Sequence, residues 1–192
     1  MLGDRSLHIA SASMREFLGR EARELLAEGR VEALKRARLD RSSVPVAALA
    51  RYSGQPYATP GLVEGILDVM ARGLHILIVS GGYGLLRAEE PIQDYEAPTQ
   101  RTLTAWRSRI PRILRDYVDR NGIRRTFGAF SRQYAAAIPD RLSEEDWRTV
   151  PSFEEIAGTG SAMSVVPQRV GELTLGLLEQ DLEPDDGWTR TG

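Results

Sequence analysis

Ser80-Gly81-Gly82-Tyr83-Gly84 places three glycines in five residues, directly after an apolar, β-branched run. Glycines let the backbone turn sharply and bring its N–H groups against a ligand. The spacing is not the G-x-G-x-x-G of a dinucleotide site. Two readings follow. Ser80, Tyr83 and the backbone of Gly81, Gly82 and Gly84 form a small-ligand cradle, or the segment is a tight turn packed against a neighbouring helix. Just downstream, Arg87, Glu89, Glu90, Asp94, Tyr95 and Glu96 are crowded together. Carboxylates on a loop beside a pocket can serve as acid and base, hold ribose hydroxyls or bind a metal. They are also commonly solvated or paired to arginines, which suits Glu89 and Glu90. Pro91, Ile92 and Tyr95 suggest a segment packed down onto the domain, so Asp94 is the candidate acid–base group.

Gly158-Thr159-Gly160-Ser161 precedes a helical stretch. Gly160 and Ser161 could present N–H and hydroxyl groups to a phosphate; the alternative is an ordinary helix cap. Other chemistries are excluded or poorly supplied. The chain has no cysteine, so disulfides, thiolate metal sites and thiol nucleophiles are absent. Lys35 is the only lysine and lies in a charged helical run that reads as surface. No G-x-S-x-G elbow supports a serine hydrolase. His75 opens the apolar run and reads as a core residue, so no metal site is expected.

These residues need elements to position them. At 192 residues, with 42% hydrophobic and 27% charged residues, the chain fits one domain over 1–180 with an acidic, flexible tail at 181–192. Apolar spacing predicts helix over Met14–Leu39, interrupted near Gly29, and over Gly61–Arg72, with Gly73 at the C′ position. Leu74–Val79 reads as a central strand covered on both faces. A long helix over Thr102–Asn121 should break near Ile110, because Pro111 removes a donor there. Arg125–Phe130 reads as a strand, Ser131–Ala137 as a short helix and Pro167–Glu179 as an amphipathic helix. This order predicts an α/β fold, a mostly parallel sheet flanked by helices. Ligands in such sheets collect at the strands' carboxyl ends, where Ser80–Gly84 and Ser131–Tyr134 would meet.

Net charge is −2 but unevenly spread. Nine arginines lie between Arg101 and Arg132 against Asp116 and Asp119, whereas twelve carboxylates face four arginines from Pro139 onward. The basic block is either a nucleic-acid face, with Arg107, Arg109, Arg112, Arg115, Arg124 and Arg125 on phosphates, or one half of an internal charge pairing. No stretch approaches the roughly 18 apolar residues of a membrane span, and the first residues carry no secretory pattern, so a cytoplasmic location is expected.

Ile78–Arg87 followed by Pro91-Ile92-Gln93-Asp94-Tyr95-Glu96 resembles the central signature of the YaaA peroxide-stress family. Arg51–Tyr57 is similar to that family's aromatic–glycine–tyrosine element, Leu103–Trp106 to its L-x-x-W piece, and Phe130–Tyr134 to its strand-end element. Ala10–Ser13 stands where the family carries P-A-K, and Ala88 where it has proline. Glu96 takes the place of an arginine, and the C-terminal third is short. The resemblance implies a YaaA-like α/β fold, a cytosolic role in oxidative stress and DNA binding through a basic cleft. It maps Ser80, Gly81, Tyr83, Asp94, Tyr95, Ser131 and Tyr134 to one pocket.

The expectation is therefore an enzyme that binds a nucleobase, nucleoside or nucleotide, with candidate N-glycosidic or group-transfer chemistry. Asp94, Ser80 and Tyr83 are its catalytic candidates. Arg51, Tyr52, Gly81, Gly82, Gly84, Arg87, Tyr95, Ser131, Arg132, Tyr134, Gly160 and Ser161 would contact the substrate. The alternative is a non-catalytic DNA-binding stress protein.

Overall fold

The computed structural model describes residues 13–96, 99–123, 126, 128–131, 134, 147–150 and 162–179. A capping box at Ser13 starts a 3-10 turn over Met14–Phe17, and helix α1 follows over Arg20–Leu34. Gly29 does not interrupt α1. It lies under the Trp106 ring, where any Cβ would collide with the indole. Close approach, not helix breaking, accounts for this glycine. Short strands β1 (Arg38–Leu39) and β2 (Val46–Ala47) lead into α2 (Ala48–Arg51), a 3-10 turn over Gln55–Ala58 and α3 (Leu62–Ala71). Helix α3 ends as its sequence predicts. Gly73 takes φ 89°, and the N–H groups of Gly73 and Leu74 donate to the carbonyls of Met70 and Val69.

Strand β3 (Leu77–Ser80) turns back at once into β4 (Gly84–Arg87), and short strands β5 (Pro91–Ile92) and β6 (Tyr95–Glu96) follow. Helices α4 (Thr99–Trp106) and α5 (Ile110–Arg120) are separated at the turn before Pro111, which occupies the first turn of α5. There its missing N–H costs nothing. Strands β7 (Gly128–Ser131) and β8 (Trp147–Val150) precede α6 (Ala162–Leu178).

The mostly parallel sheet flanked by helices is not what forms. β3 pairs with β4, β1 with β6 and β2 with β5, all antiparallel and each a separate two-stranded ladder. Among the described residues only β7 and β8 run parallel. The cause is local. Ser80 pairs with Gly84 across the turn, and Gly84 adopts the left-handed φ of 73° that closes a three-residue hairpin. The chain, whose sequence reads as irregular from Leu85 to Thr99, instead runs straight back along β3 as β4. Leu85 and Leu86 then bury completely in β4.

Three apolar clusters hold these pieces. The largest joins Met14, Leu18 and Leu26 to Leu85, Leu103, Trp106, Ile113 and Tyr117, so that α1, α4 and α5 pack over β4. Burying each such large side chain contributes about 1.5–3 kcal/mol. A second joins Leu49, Leu62 and Ile66 to Leu175 and Leu178 of α6. The third and smallest, Ala48, Leu86 and Ile92, lies beneath Tyr52, Tyr83 and Tyr95. No helix among the described residues is long and apolar enough to cross a membrane.

Candidate functional site

The tyrosines above the third cluster mark the site. Tyr52 leaves the end of α2, Tyr95 opens β6, and Ser80 ends β3. The Tyr95 hydroxyl lies 2.6 Å from Ser80 Oγ and 3.0 Å from the Tyr52 hydroxyl. Ser80 Oγ also accepts the Tyr83 N–H at 3.0 Å. Packing fixes the rings: Tyr95 stands edge-on to both Tyr83 and Tyr52, and Tyr57 stacks on Tyr52 with centroids 5.9 Å apart. Burial pushes the hydroxyl of Tyr52 far above the ordinary tyrosine range, and that of Tyr83 upward as well. Tyr52 and Tyr83 therefore stay protonated at neutral pH and act as hydrogen-bonding groups rather than bases.

An open cleft of about 280 Å³ lies over this hydroxyl chain. Arg51, Tyr52, Ser53 and Gly54 form one wall, Asp94 and Tyr95 the other, with Gly81 and Tyr134 completing it. Asp94 is the only carboxylate among these lining residues. It is exposed, and its segment is pinned: its N–H donates to Ser43 Oγ, its carbonyl accepts the Asp40 N–H, and its Oδ1 accepts the Tyr95 N–H. Its other carboxylate oxygen is left for a ligand or a proton.

The glycine turn resolves toward packing. A Cβ on Gly82 would sit 2.5 Å from the Tyr95 ring, and one on Gly84 2.5 Å from Trp106. The Gly81 carbonyl accepts the Trp106 indole N–H at 2.7 Å. Gly82 and Gly84 are buried beneath side chains and do not line the cleft; only Gly81 reaches it. Ser80, 3% exposed, sits under Tyr95 and orients its hydroxyl. Tyr83 packs behind Tyr95, and its hydroxyl accepts the Gln93 N–H.

Arg87 lies elsewhere. It pairs with Glu89 and donates to the Tyr117 hydroxyl at 2.7 Å, and its guanidinium lies 4.0 Å from the Phe17 ring centroid. The same hydroxyl is 2.6 Å from His75 Nδ1. Glu90 is buried as well, ion-paired to Arg30 at 2.9 Å and accepting the Met14 N–H. Both glutamates thus serve internal pairing, which fixes α1 and the chain entry against the hairpin.

Part of the basic block is ion-paired within the fold. Arg109 pairs with Glu32 and Arg112 with Glu21, both on α1, and Arg120 pairs with Asp116. Arg107 and Arg115 are exposed. Two of these partners are α1 glutamates, because α5 packs directly on α1; most of the C-terminal carboxylates lie outside the described residues. Arg124, Arg125, Arg132, Gly160, Ser161 and the tail at 181–192 lie outside the described residues; Ser131 is described only as the last residue of β7. Sequence reading passed over Trp106 and Ser43 as supports of the site. The L-x-x-W spacing was the signal for the first; nothing local marks the second.

No protein family, curated protein or solved structure matches the chain. Fold and site together define a mixed helical protein with short hairpins and a tyrosine-walled cleft carrying one arginine and one aspartate.

Proposed function

We propose that the chain is an enzyme acting on a nucleobase-bearing small molecule held in the cleft between Tyr52 and Asp94. One observation carries this reading: the Tyr95 hydroxyl bridges Ser80 and Tyr52 directly beneath a cleft whose only lining carboxylate among the described residues is Asp94. A planar, polar ring finds aromatic walls there, with hydroxyls to receive its edge. Ligand pockets of about 300–1,000 Å³ are usual for small molecules, so a cleft of about 280 Å³ suits a nucleoside better than a polymer. Asp94 is the acid–base group, or the charge that stabilises an oxocarbenium-like centre during N-glycosidic cleavage. Ser80 positions Tyr95, and Tyr83 backs it. The resemblance of these same segments to the YaaA family supports the reading, and a cytoplasmic location and membership of that family are proposed with it.

The test is a binding and turnover screen of the full chain against nucleobases, nucleosides, nucleotides and short DNA. Binding of one small ligand that resists moderate salt, with turnover lost in Asp94→Asn while binding persists, is the expected result. Unchanged turnover in that variant overturns the role of Asp94. A response to DNA alone that vanishes at moderate salt overturns the small-molecule reading in favour of the arginine face.

A further inference from the structure

Four arginines of the described residues are partly buried: Arg30, Arg51, Arg87 and Arg109. Three have a carboxylate partner, respectively Glu90, Glu89 and Glu32. Arg51 forms no ion pair among the described residues; the exposed Asp40 carboxylate feels its charge without closing on it. Its Nη2 donates to the Val44 carbonyl at 2.6 Å, which holds the guanidinium in place without neutralising it. Its Nε is buried with no hydrogen-bond partner. A buried guanidinium nitrogen without a partner is costly, and such a group is ordinarily paired. Arg51 also lines the cleft, where Asp94 is present and yet forms no ion pair with it. The cleft therefore keeps a cation and an anion apart.

Among the described residues the glycine turn, another candidate for holding an anion, is filled by Thr102, Tyr95 and Trp106; Gly160 and Ser161 lie outside them. We infer that Arg51 is the anion subsite of the cleft, and that the ligand is a nucleoside monophosphate whose phosphate meets the Arg51 guanidinium while its base or sugar faces Asp94 and Tyr95. This rests on the nucleobase reading above and narrows it to the phosphorylated ligand. A guanidinium suits the task because its planar fork donates to two phosphate oxygens at once.

Isothermal titration of the full chain at fixed moderate salt, with common ribonucleosides and their 5′-monophosphates, tests the assignment. A charge-assisted contact of this kind is worth about tenfold or more in affinity, so the preferred monophosphate should bind about tenfold or more tighter than its nucleoside. Arg51→Gln should remove that preference, so that nucleoside and monophosphate bind with about equal affinity. Arg51→Lys, which keeps the charge and loses the fork, should retain part of it. It also guards against a glutamine variant that fails to fold, which a far-UV spectrum of each variant reports. Equal binding of nucleoside and monophosphate by the wild type overturns the anion subsite while leaving the nucleobase reading intact. A preference that survives in folded Arg51→Gln overturns it as well. Failure of the wild type to bind any of these ligands overturns both.

Discussion

Trp106 donates its indole N–H to the carbonyl of Gly81 at 2.7 Å, from the end of α4 into the turn beneath the cleft. The same indole covers Gly29 of α1 and Gly84 of β4. One buried side chain thus joins the helical core to the hairpin that carries Ser80. Trp106→Phe would keep most of the apolar contact but leave the Gly81 carbonyl unpaired. We expect a loss of about 1–3 kcal/mol in urea unfolding, together with weaker ligand binding. A change in stability with no change in binding would show that the turn does not set the cleft.

Gly82 and Gly61 provide a matched comparison. A Cβ at Gly82 would drive into the Tyr95 ring, whereas Gly61, at φ 82°, has open space around it. Gly61→Ala should cost about 1–2 kcal/mol from left-handed backbone strain alone and leave binding unaltered. Gly82→Ala should cost about 1–3 kcal/mol from overpacking and in addition displace Tyr95, abolishing binding. Equal binding in the two variants would separate Tyr95 from the site.

The buried Arg30–Glu90 pair, with side chains 18% and 5% exposed, joins α1 to the segment after β4. Removing one partner strands the other charge. Glu90→Gln or Arg30→Met should each destabilise by about 3–5 kcal/mol in chemical unfolding. Arg30→Met combined with Glu90→Leu should recover part of that loss, since the penalty is largely the unpaired charge. If the double variant is as unstable as the sum of the single ones, the pair matters through packing instead.

His75 makes stability depend on pH. Burial, and then the positive charge of Arg87, lowers its pKa from the ordinary 6.5 to about 4. Arg87 donates to the Tyr117 hydroxyl, which lies 2.6 Å from His75 Nδ1. The neutral ring, with Nε2 buried and without a hydrogen-bond partner, is the form the fold accommodates. Between pH 6.5 and about 4 the unfolded chain therefore binds more protons at this residue than the folded one. Stability should fall as pH is lowered through that window, and rise as pH is raised, because ∂ΔG/∂pH follows the excess of protons in the unfolded state. Glu89 and the Phe17 ring face the same cluster and do not change that sign. His75→Asn keeps an acceptor for Tyr117 and loses the titration, so its melting temperature should vary less across this range. An identical pH profile in that variant would assign the slope to other groups.

Local signals made much of the helical framework legible. Apolar spacing marks α1, α3 and α6. Pro111 separates α4 from α5, and Gly73 ends α3, because these residues act on their own backbone within a turn. The residues that meet at the cleft, Tyr52, Gly81, Asp94, Tyr95 and Tyr134, were also recognisable by type before their places were known.

The sheet was not legible. A buried strand that continues into a parallel crossover and one that folds back as a hairpin share the same apolar run. The choice fell to Gly84, whose positive φ is stabilised by Trp106 packing from more than twenty residues away. The roles of the arginines were likewise beyond the sequence, since their spacing is the same whether they face phosphate or glutamate. The sequence by itself determined which segments are helical and which side chains are available for chemistry, because propensity, capping and proline act locally. Only the tertiary structure decided that the glycine turn is filled, that Arg109 and Arg112 pair with glutamates of α1, and that Arg51 lines the cleft without an ion pair among the described residues. Those outcomes depend on which distant surfaces are brought within a few ångströms, and a linear pattern does not record that.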